Sequence, residues 1–288
     1  NQHVSVVALT PRDNDCRNSI PGTGGMIPCT VEFEQPAAGE NGLKIGLVGY
    51  YKHGNYGDEL FTRVFGNVFQ DCQITVLALA GGDPNFDPEL IAEQDCIIIG
   101  GGDLVIPFAF AEQYWNDALL TKPVYIVGVG VPTWGGYSKE AALGMRRFFQ
   151  HENVRLVVAR DPKSRDWIVH QLQPNAPVSF YPDLVAGLPF ERKPRSGLTL
   201  GIILRAHQNI DYGNLQAFLT RANRFGYEIN NIVLGVGQVA VNDLPAARQL
   251  EFPLSRIVVR DTIEDLTEEI AKCDLIVSQK FHGYLLLS

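Results

Sequence analysis

The residues best suited to chemistry near the end of the chain are Lys280 and His282, which follow a short apolar run. The run Cys273–Val277 predicts a buried strand, and the segment Ser278–Gly283 then supplies an ammonium group, an imidazole and a glycine turn. Ligands of open α/β sheets bind at the carboxyl ends of strands, and a following helix presents free N–H groups to an anion. We therefore predict a small-anion site at this position.

A glycine-containing turn, Gly54–Asp58, follows the predicted strand Lys44–Gly49 and precedes a predicted helix. Its two glycines permit a close approach of the backbone to a ligand, and Asn55 and Asp58 add polar groups. A simple capped strand-to-helix turn is the alternative interpretation. The segment lacks both the G-x-G-x-x-G dinucleotide pattern and the G-K-[ST] ending of a P-loop.

A second glycine segment, Gly100–Gly102, ends the apolar run Ile97–Ile99 and is followed by Asp103. Consecutive glycines are conformationally costly, so they indicate that a ligand or another backbone segment lies in contact. We predict that this segment forms the wall of a cleft with Asp103 facing inward. The segment Val127–Val131 repeats the pattern more weakly.

Arginine follows two further predicted strands. Arg160 comes directly after Val154–Ala159, and Arg205 comes after Leu198–Leu204. A guanidinium group at a strand end can bind a carboxylate or a phosphate through two parallel hydrogen bonds. An ion pair with a neighbouring aspartate is an equally weighted alternative for both residues.

Strands and helices are predicted to alternate from residue 44 onward. The apolar runs are typical of strands that are covered on both faces, and the stretches between them have helical periodicity. This alternation predicts an α/β fold with two Rossmann-like domains built on parallel sheets. The other predicted strands are Ile74–Leu79, Cys96–Gly100, Val124–Val129, Val178–Tyr181, Ile229–Leu234, Arg256–Val259 and Asp274–Val277. The predicted helices are Glu59–Gln70, Lys139–His151, Lys163–Gln171, Leu215–Phe225 and Ile263–Lys272.

The segment Leu188–Gly197 contains two prolines and a basic cluster, which predicts a domain boundary. Residues 44–190 then form a first Rossmann-like domain and residues 191–288 a second, with a cleft between them. Residues 1–43 lack periodicity and are predicted to be an extension or loop packed on the first domain, with Val4–Leu9 as an added strand. We expect the chain to be a fragment whose second domain is truncated at its C-terminus.

Composition excludes several classes of function. The formal net charge is −8, and residues 1–150 carry this acidic excess without a Lys/Arg cluster, so nucleic acid is not an expected partner. No apolar run approaches the roughly 20 residues of a membrane span, which predicts no integral membrane segment and a cytoplasmic protein. The five cysteines are scattered without a C-x-x-C pair, and no histidine or carboxylate spacing predicts a metal site.

Four of these segments, in this order, resemble the motifs of the polysaccharide pyruvyl transferase family. They are Gly54–Asp58, Gly100–Asp103, Arg160–Ser164 and Ser278–Gly283. One residue departs from the family pattern, since Lys280 stands where the family carries arginine. The resemblance implies a GT-B-like arrangement of the two domains, with the first on the acceptor side and the second on the donor side. It also implies transfer of a pyruvyl group from phosphoenolpyruvate to a sugar, forming a pyruvate ketal.

The resemblance implies roles for individual residues. His282 is expected to be the general acid that protonates the donor's methylene carbon, or else the group that protonates the departing phosphate, because imidazole exchanges protons near neutral pH. Asp58 or Asp103 is expected to accept the proton of the attacking hydroxyl, and Arg160 and Lys280 are expected to hold the carboxylate and the phosphate of the donor. The other residues expected to contact substrate are Gly54, Asn55, Gly57, Gly101, Gly102, Arg205, Ser278 and Gly283.

The expected partners are phosphoenolpyruvate, as a substrate rather than a tightly bound cofactor, and a sugar or lipid-linked glycan acceptor of polysaccharide biosynthesis. Two other functions stay open. A GT-B-like glycosyltransferase that uses a nucleotide sugar shares this architecture, and the segment Val233–Gly237 is a generic candidate for a nucleotide-facing strand end. A non-catalytic sugar- or anion-binding relative is the third reading. Homo-oligomer formation and peripheral attachment to the inner face of the membrane also stay open.

Overall fold

A computed structural model describes residues 42–77, 86–190, 197–205, 212–250 and 252–285. Within these residues, the strands form two parallel sheets. The first contains β1 (Lys44–Val48), β2 (Gln73–Val76), β3 (Cys96–Gly102), β4 (Val124–Val129), β5 (Val154–Ala159) and β6 (Val178–Phe180). The second contains β7 (Leu198–Ile203), β8 (Tyr227–Ile232), β9 (Ser255–Val258) and β10 (Leu275–Ser278).

Helices follow most of the strands. They are α1 (Tyr56–Val68), α2 (Pro88–Ala92), α3 (Lys139–Phe149), α4 (Pro162–Trp167), α5 (Gly213–Arg224), α6 (Gly237–Gln249), α7 (Ile263–Ala271) and α8 (Phe281–Leu285). Short 3-10 helices cover Asp117–Thr121, Thr133–Gly135 and Leu184–Gly187, and a π-helix covers Ile168–Leu172. None of the helices in the described part of the chain has the length and apolar character needed to cross a bilayer.

The strand order creates a crevice in the first sheet. This sheet runs β2-β1-β3-β4-β5-β6, and the second runs β10-β7-β8-β9. The connections after β1 and β3 therefore leave in opposite directions. In parallel sheets such switch points are where ligands bind, at the carboxyl ends of the strands. The turn before α1 and the glycines of β3 flank this crevice, and Arg205 and the turn before α8 lie at the carboxyl edge of the second sheet, where β7 pairs with β10.

Helix α1 is packed between the two sheets. Tyr56 at its start is buried, and its hydroxyl group lies 2.8 Å from Oγ1 of Thr267 in α7. An isolated antiparallel bridge joins Asn55 to Gly235, which follows β8. One apolar cluster includes residues of α1, of both sheets and of α7: Leu60, Phe61, Phe65, Leu47, Ile98, Ile203, Ile232 and Leu266. These contacts bring the carboxyl edge of the second sheet against the turn that follows β1.

The predicted alternation of strands and helices is confirmed as two parallel α/β sheets. Strands β4 and β5 have the bounds that their apolar runs predicted, and the continuous apolar run of β3 is explained because both of its faces are covered. The predicted helix Lys163–Gln171 is instead α4 followed by the π-helix. The division into domains stays a prediction, and Val4–Leu9 lies outside the described residues.

The sequence analysis did not predict helix α6. Pro245 lies inside this helix, where it lacks the N–H group that helical hydrogen bonding uses. The proline also interrupts the apolar periodicity that revealed the other long helices. Helix α6 matters for the site because it carries Asp243, a buried carboxylate.

Candidate active site

Five ionisable side chains gather where the carboxyl edges of the two sheets meet. Asp58 is in the first turn of α1, Asp103 follows β3, Arg160 follows β5, Asp183 follows β6 and His282 is in α8. The sequence analysis predicted four of them, and Asp183 is the addition. The strand-end rule that found the others applies to Asp183 as well, but the strand Val178–Phe180 is short and a proline stands between it and the aspartate.

The imidazole of His282 lies in a tight pocket formed largely by α1. A Cβ atom at Gly57 would overlap the ring, so only glycine allows α1 to approach it this closely. The edge of Phe61 meets the ring with 5.6 Å between the ring centroids. The sequence predicted Gly57 as a substrate contact, whereas the structure places it against the imidazole.

Asp183 faces the other side of His282. This residue is 4% exposed, and its Oδ1 accepts a hydrogen bond of 3.0 Å from the backbone N–H of Val185. Its Oδ2 lies 3.6 Å from Nε2 of His282, and both atoms are buried without a hydrogen-bond partner. A carboxylate in this position favours one orientation of the imidazole, as proton transfer requires.

Arg160 connects the carboxylates of the site. Its Nη2 donates a hydrogen bond of 2.5 Å to Oδ1 of Asp103, and its Nη1 lies 3.8 Å from Oδ2 of Asp183. Its guanidinium group also lies over the ring of Phe281, 5.3 Å from the centroid. The ion pair with a neighbouring aspartate, one of the two predicted alternatives, is therefore formed. An anionic ligand would share or replace these carboxylate contacts.

The carboxyl group of Asp58 has an unusually high pKa for an aspartate. Burial raises the pKa of its carboxyl group to about 7, and the nearby charge of Asp103 acts in the same direction. The cationic groups of His282 and Arg160 lower this pKa but do not outweigh burial. Gly102 adopts a φ of +85°, and a Cβ there would lie 2.7 Å from the carboxylate. Asp58 can therefore bind or release a proton near neutral pH.

Lys280 makes its contacts elsewhere. Its Nζ donates to the carboxylate of Asp243 in α6, and it donates to the carbonyl oxygen of Leu234 at 3.1 Å. The side chain of Lys280 is 17% exposed and that of Asp243 is 11% exposed. The structure thus brings Arg160, Asp183 and His282 together, whereas the ammonium of Lys280 is bound to Asp243 of α6 and to Leu234, two residues after β8.

The remaining predicted substrate contacts have structural neighbours in this state. The carbonyl of Gly54 accepts a hydrogen bond of 2.8 Å from Val236, so Gly54 joins Asn55 in contacting the second sheet. Gly101 packs against Phe61 with a φ of +78°. Ser278 and Gly283 pack on each other, and the exposed Arg205 is bound through its backbone N–H to Gln279.

This set of side chains can perform proton transfer beside a bound anion. A carboxyl group titrating near neutral pH and an imidazole oriented by a carboxylate supply the proton transfer, and a guanidinium group supplies the anion contact. Among the described residues, His, Cys, Asp and Glu form no group of three or more suited to a metal ion.

Comparison with known proteins identifies the family. A family model described as polysaccharide pyruvyl transferase matches residues 55–286, a range that contains every residue of the site. A search of curated proteins finds no match. One solved structure that matches is the accessory secretory protein 1, 2 and 3 of Streptococcus pneumoniae, with 14% identity and a TM-score of 0.40, covering 69% of this chain and 40% of that chain. Because the family model covers most of the sequence, the chain belongs to the polysaccharide pyruvyl transferase family.

Proposed function

We propose that the protein transfers the pyruvyl group of phosphoenolpyruvate to two hydroxyls of a sugar in a polysaccharide or glycan precursor. The product is a pyruvate ketal, and inorganic phosphate is released. The observation that carries the proposal is the placement of two proton-transfer groups, Asp58 and His282, beside the guanidinium of Arg160 at a switch point. Membership of the family supports transferase activity in general.

The donor is anchored by Arg160 in this proposal. Phosphoenolpyruvate carries a carboxylate and a phosphate, and a guanidinium group binds either of them through two parallel hydrogen bonds. Arg160 is held in place by Asp103 and Phe281, so its side chain is already ordered before the donor arrives. Ordering the cation in advance reduces the entropy lost on binding.

The chemistry requires one proton to be added to carbon and two to be removed from hydroxyls. Protonation of the methylene carbon makes the adjacent carbon cationic, and the first hydroxyl adds to it and loses its proton. The C–O bond to phosphate then breaks, and the second hydroxyl adds to the same carbon and loses its proton. Of the two protons released, one replaces that used on the methylene carbon and the other leaves with hydrogen phosphate.

His282 and Asp58 divide the proton transfers. His282 donates to the methylene carbon, because its ring is held between Gly57 and Asp183 in one orientation. Asp58 accepts from the attacking hydroxyl, since a pKa of about 7 leaves a useful fraction of carboxylate at neutral pH and returns the proton readily. Asp103 is less suited to this role because Arg160 already occupies its carboxylate.

An exposed aromatic surface supports a sugar as the acceptor. Trp134 and Tyr137 lie in the segment that follows β4, and Trp134 is 74% exposed. Phe108, in the segment that follows Asp103, lies 5.5 Å from Trp134 between ring centroids. We call these three residues the aromatic surface. Exposed apolar surface beside a site marks a place for a ligand, and the C–H faces of sugar rings pack well on aromatic faces. The proposal therefore keeps residues 44–190 as the acceptor side of a GT-B-like arrangement.

Phosphate release tests the proposal directly. The protein is incubated with phosphoenolpyruvate and glycan acceptors, and phosphate and the mass of the acceptor are measured. We expect phosphate and a pyruvylated acceptor in equal amounts, and a loss of both on the order of 10²- to 10⁴-fold in the His282→Ala variant. The His170→Ala variant, changed at an exposed histidine, is the control. Consumption of nucleotide sugars with no use of phosphoenolpyruvate would contradict the proposal.

A further inference from the structure

The ammonium group of Lys280 has two partners in the described structure. It forms an ion pair with Asp243 and a hydrogen bond with the carbonyl of Leu234. Both side chains of the ion pair are mostly buried, so each charge depends on the other for its stability. Taking Lys280 away would leave a buried carboxylate on α6 without its counter-ion.

The backbone of Lys280 is the centre of the turn that begins α8. The hydroxyl of Ser278 donates to the carbonyl of Lys280 at 2.6 Å, and the N–H of Gly283 donates to the same carbonyl at 3.2 Å. The preceding Gln279 donates its N–H to Ile203 of β7 at 2.9 Å. The turn is therefore tied to β7 through its backbone and to α6 through the Lys280 side chain. His282 lies two residues further along.

We infer that Asp243 and Lys280 form a positioning pair that fixes the turn carrying His282, and that Lys280 is not a contact for the donor. An ammonium is a compact point charge with three donors, and here a buried carboxylate and a carbonyl accept from two of them. A donor anion would have to remove Lys280 from Asp243, at the cost of an unpaired buried carboxylate. The inference rests on the proposed function, in which Arg160 anchors the donor.

Three variants separate positioning from donor binding. Asp243→Asn and Lys280→Met each break the pair, and the double variant Lys280→Met/Asp243→Leu removes both charges. We expect each single change to lower kcat on the order of 10- to 100-fold through displacement of His282, with little change in KM for phosphoenolpyruvate. We expect the double variant to recover much of this loss, because it leaves no buried charge unpaired.

If Lys280 contacts the donor directly, different kinetic results are expected. Lys280→Met would then raise KM for phosphoenolpyruvate with kcat largely kept, and Asp243→Asn would leave kcat unchanged, because it removes no contact to the donor. Lys280→Arg would also tighten phosphoenolpyruvate binding, since arginine offers a bidentate fork. Any of these results would overturn the inference, as would a double variant no more active than the worse single variant.

A readout that does not need turnover keeps the inference separate from the proposed function. In a histidine-selective NMR spectrum, with the His282 signal assigned by His282→Ala, we expect both single variants to shift that signal and the double variant to move it back. Lys272→Met is the matched control, because Lys272 pairs with Glu269 on α7, and it should leave the signal in place.

Thermal unfolding of each variant shows whether it is folded. The double variant is measured even if a single variant proves to be unfolded. Absence of pyruvyl transfer to every acceptor tested would contradict the proposed function. A His282 signal that stays in place in both single variants would contradict the inference.

Discussion

The two sheets contribute chemically different edges to the site. The edge of the first sheet carries Asp58, Asp103 and Asp183 around the guanidinium of Arg160, so carboxylates outnumber cations there. The edge of the second sheet supplies the imidazole of His282, which faces those carboxylates. The first edge is therefore an acidic edge, which suits the anionic donor of the proposed function only where its negative charge is reduced. A proton on Asp58, whose pKa burial raises to about 7, reduces it.

The largest effect should come from removing the cation of the acidic edge. In Arg160→Met, Asp103 and Asp183 lose their partner, and the donor loses its anchor. We expect kcat/KM for phosphoenolpyruvate to fall roughly 10²- to 10³-fold. Arg165→Met is the control, since Arg165 pairs with the exposed Asp166 on α4 and should keep near wild-type activity. Equal losses of kcat/KM in both variants would contradict a specific role of Arg160 in binding the donor.

The contact between the two edges is tested at Gly57. In Gly57→Ala, the added Cβ overlaps the imidazole and must displace it from Asp183. We expect kcat to fall about 30- to 100-fold, because small displacements of catalytic groups are costly. Gly66→Ala on the same helix is a matched control, because no atom lies within 4 Å of its added Cβ. It should keep activity and be slightly more stable, since alanine favours helix. A fully active Gly57→Ala variant would show that activity does not depend on the position of the imidazole against Asp183.

The acceptor side of the first edge is tested at Trp134. In Trp134→Ala, we expect KM for the glycan acceptor to rise roughly 3- to 10-fold while KM for phosphoenolpyruvate stays unchanged. Phe225→Ala is matched for exposure, because Phe225 is 73% exposed and follows α5. If both variants raise the acceptor KM equally, the aromatic surface is not an acceptor site.

The smallest effect is on stability and concerns the proton on Asp58. Between about pH 4 and pH 7 the folded protein holds a proton on this group that the unfolded chain has released, so this group makes stability fall as pH rises through that window. Asp58→Asn removes this dependence. We expect the variant to be more stable than wild type by about 1–2 kcal/mol at pH 8 and similar to it at pH 4, measured by urea unfolding.

Asp166→Asn, at an exposed aspartate, controls for the general effect of replacing a carboxylate. It should follow the wild-type pH profile throughout. A wild-type stability that did not fall from pH 4 to pH 7 relative to Asp58→Asn would mean that Asp58 is ionised in the folded protein. The acidic edge would then carry its full charge when the donor binds.

Much of the fold and four of the five ionisable residues of the site could be predicted because parallel strands place their final residues at one edge. Apolar runs located the strands, and the residue types after them indicated Asp58, Asp103, Arg160 and His282. The same rule says which residues reach the edge but not where each side chain turns. Lys280 was expected beside Arg160, yet its ammonium is held by Asp243, which lies on a helix whose proline hid it from periodicity. Asp183 was missed because its strand is short.

The burial of α1 between the two sheets also has a consequence for biosynthesis. The apolar side chains of this helix emerge from the ribosome early, whereas Leu266, Thr267 and the α8 residues that cover them are made more than 190 residues later. Until then Tyr56 and Phe61 lack these later partners, and such uncovered apolar surface attracts chaperones and other chains. The imidazole of His282 enters its pocket only at the end of the same process, so the proposed site is incomplete until the late segments of the chain have folded.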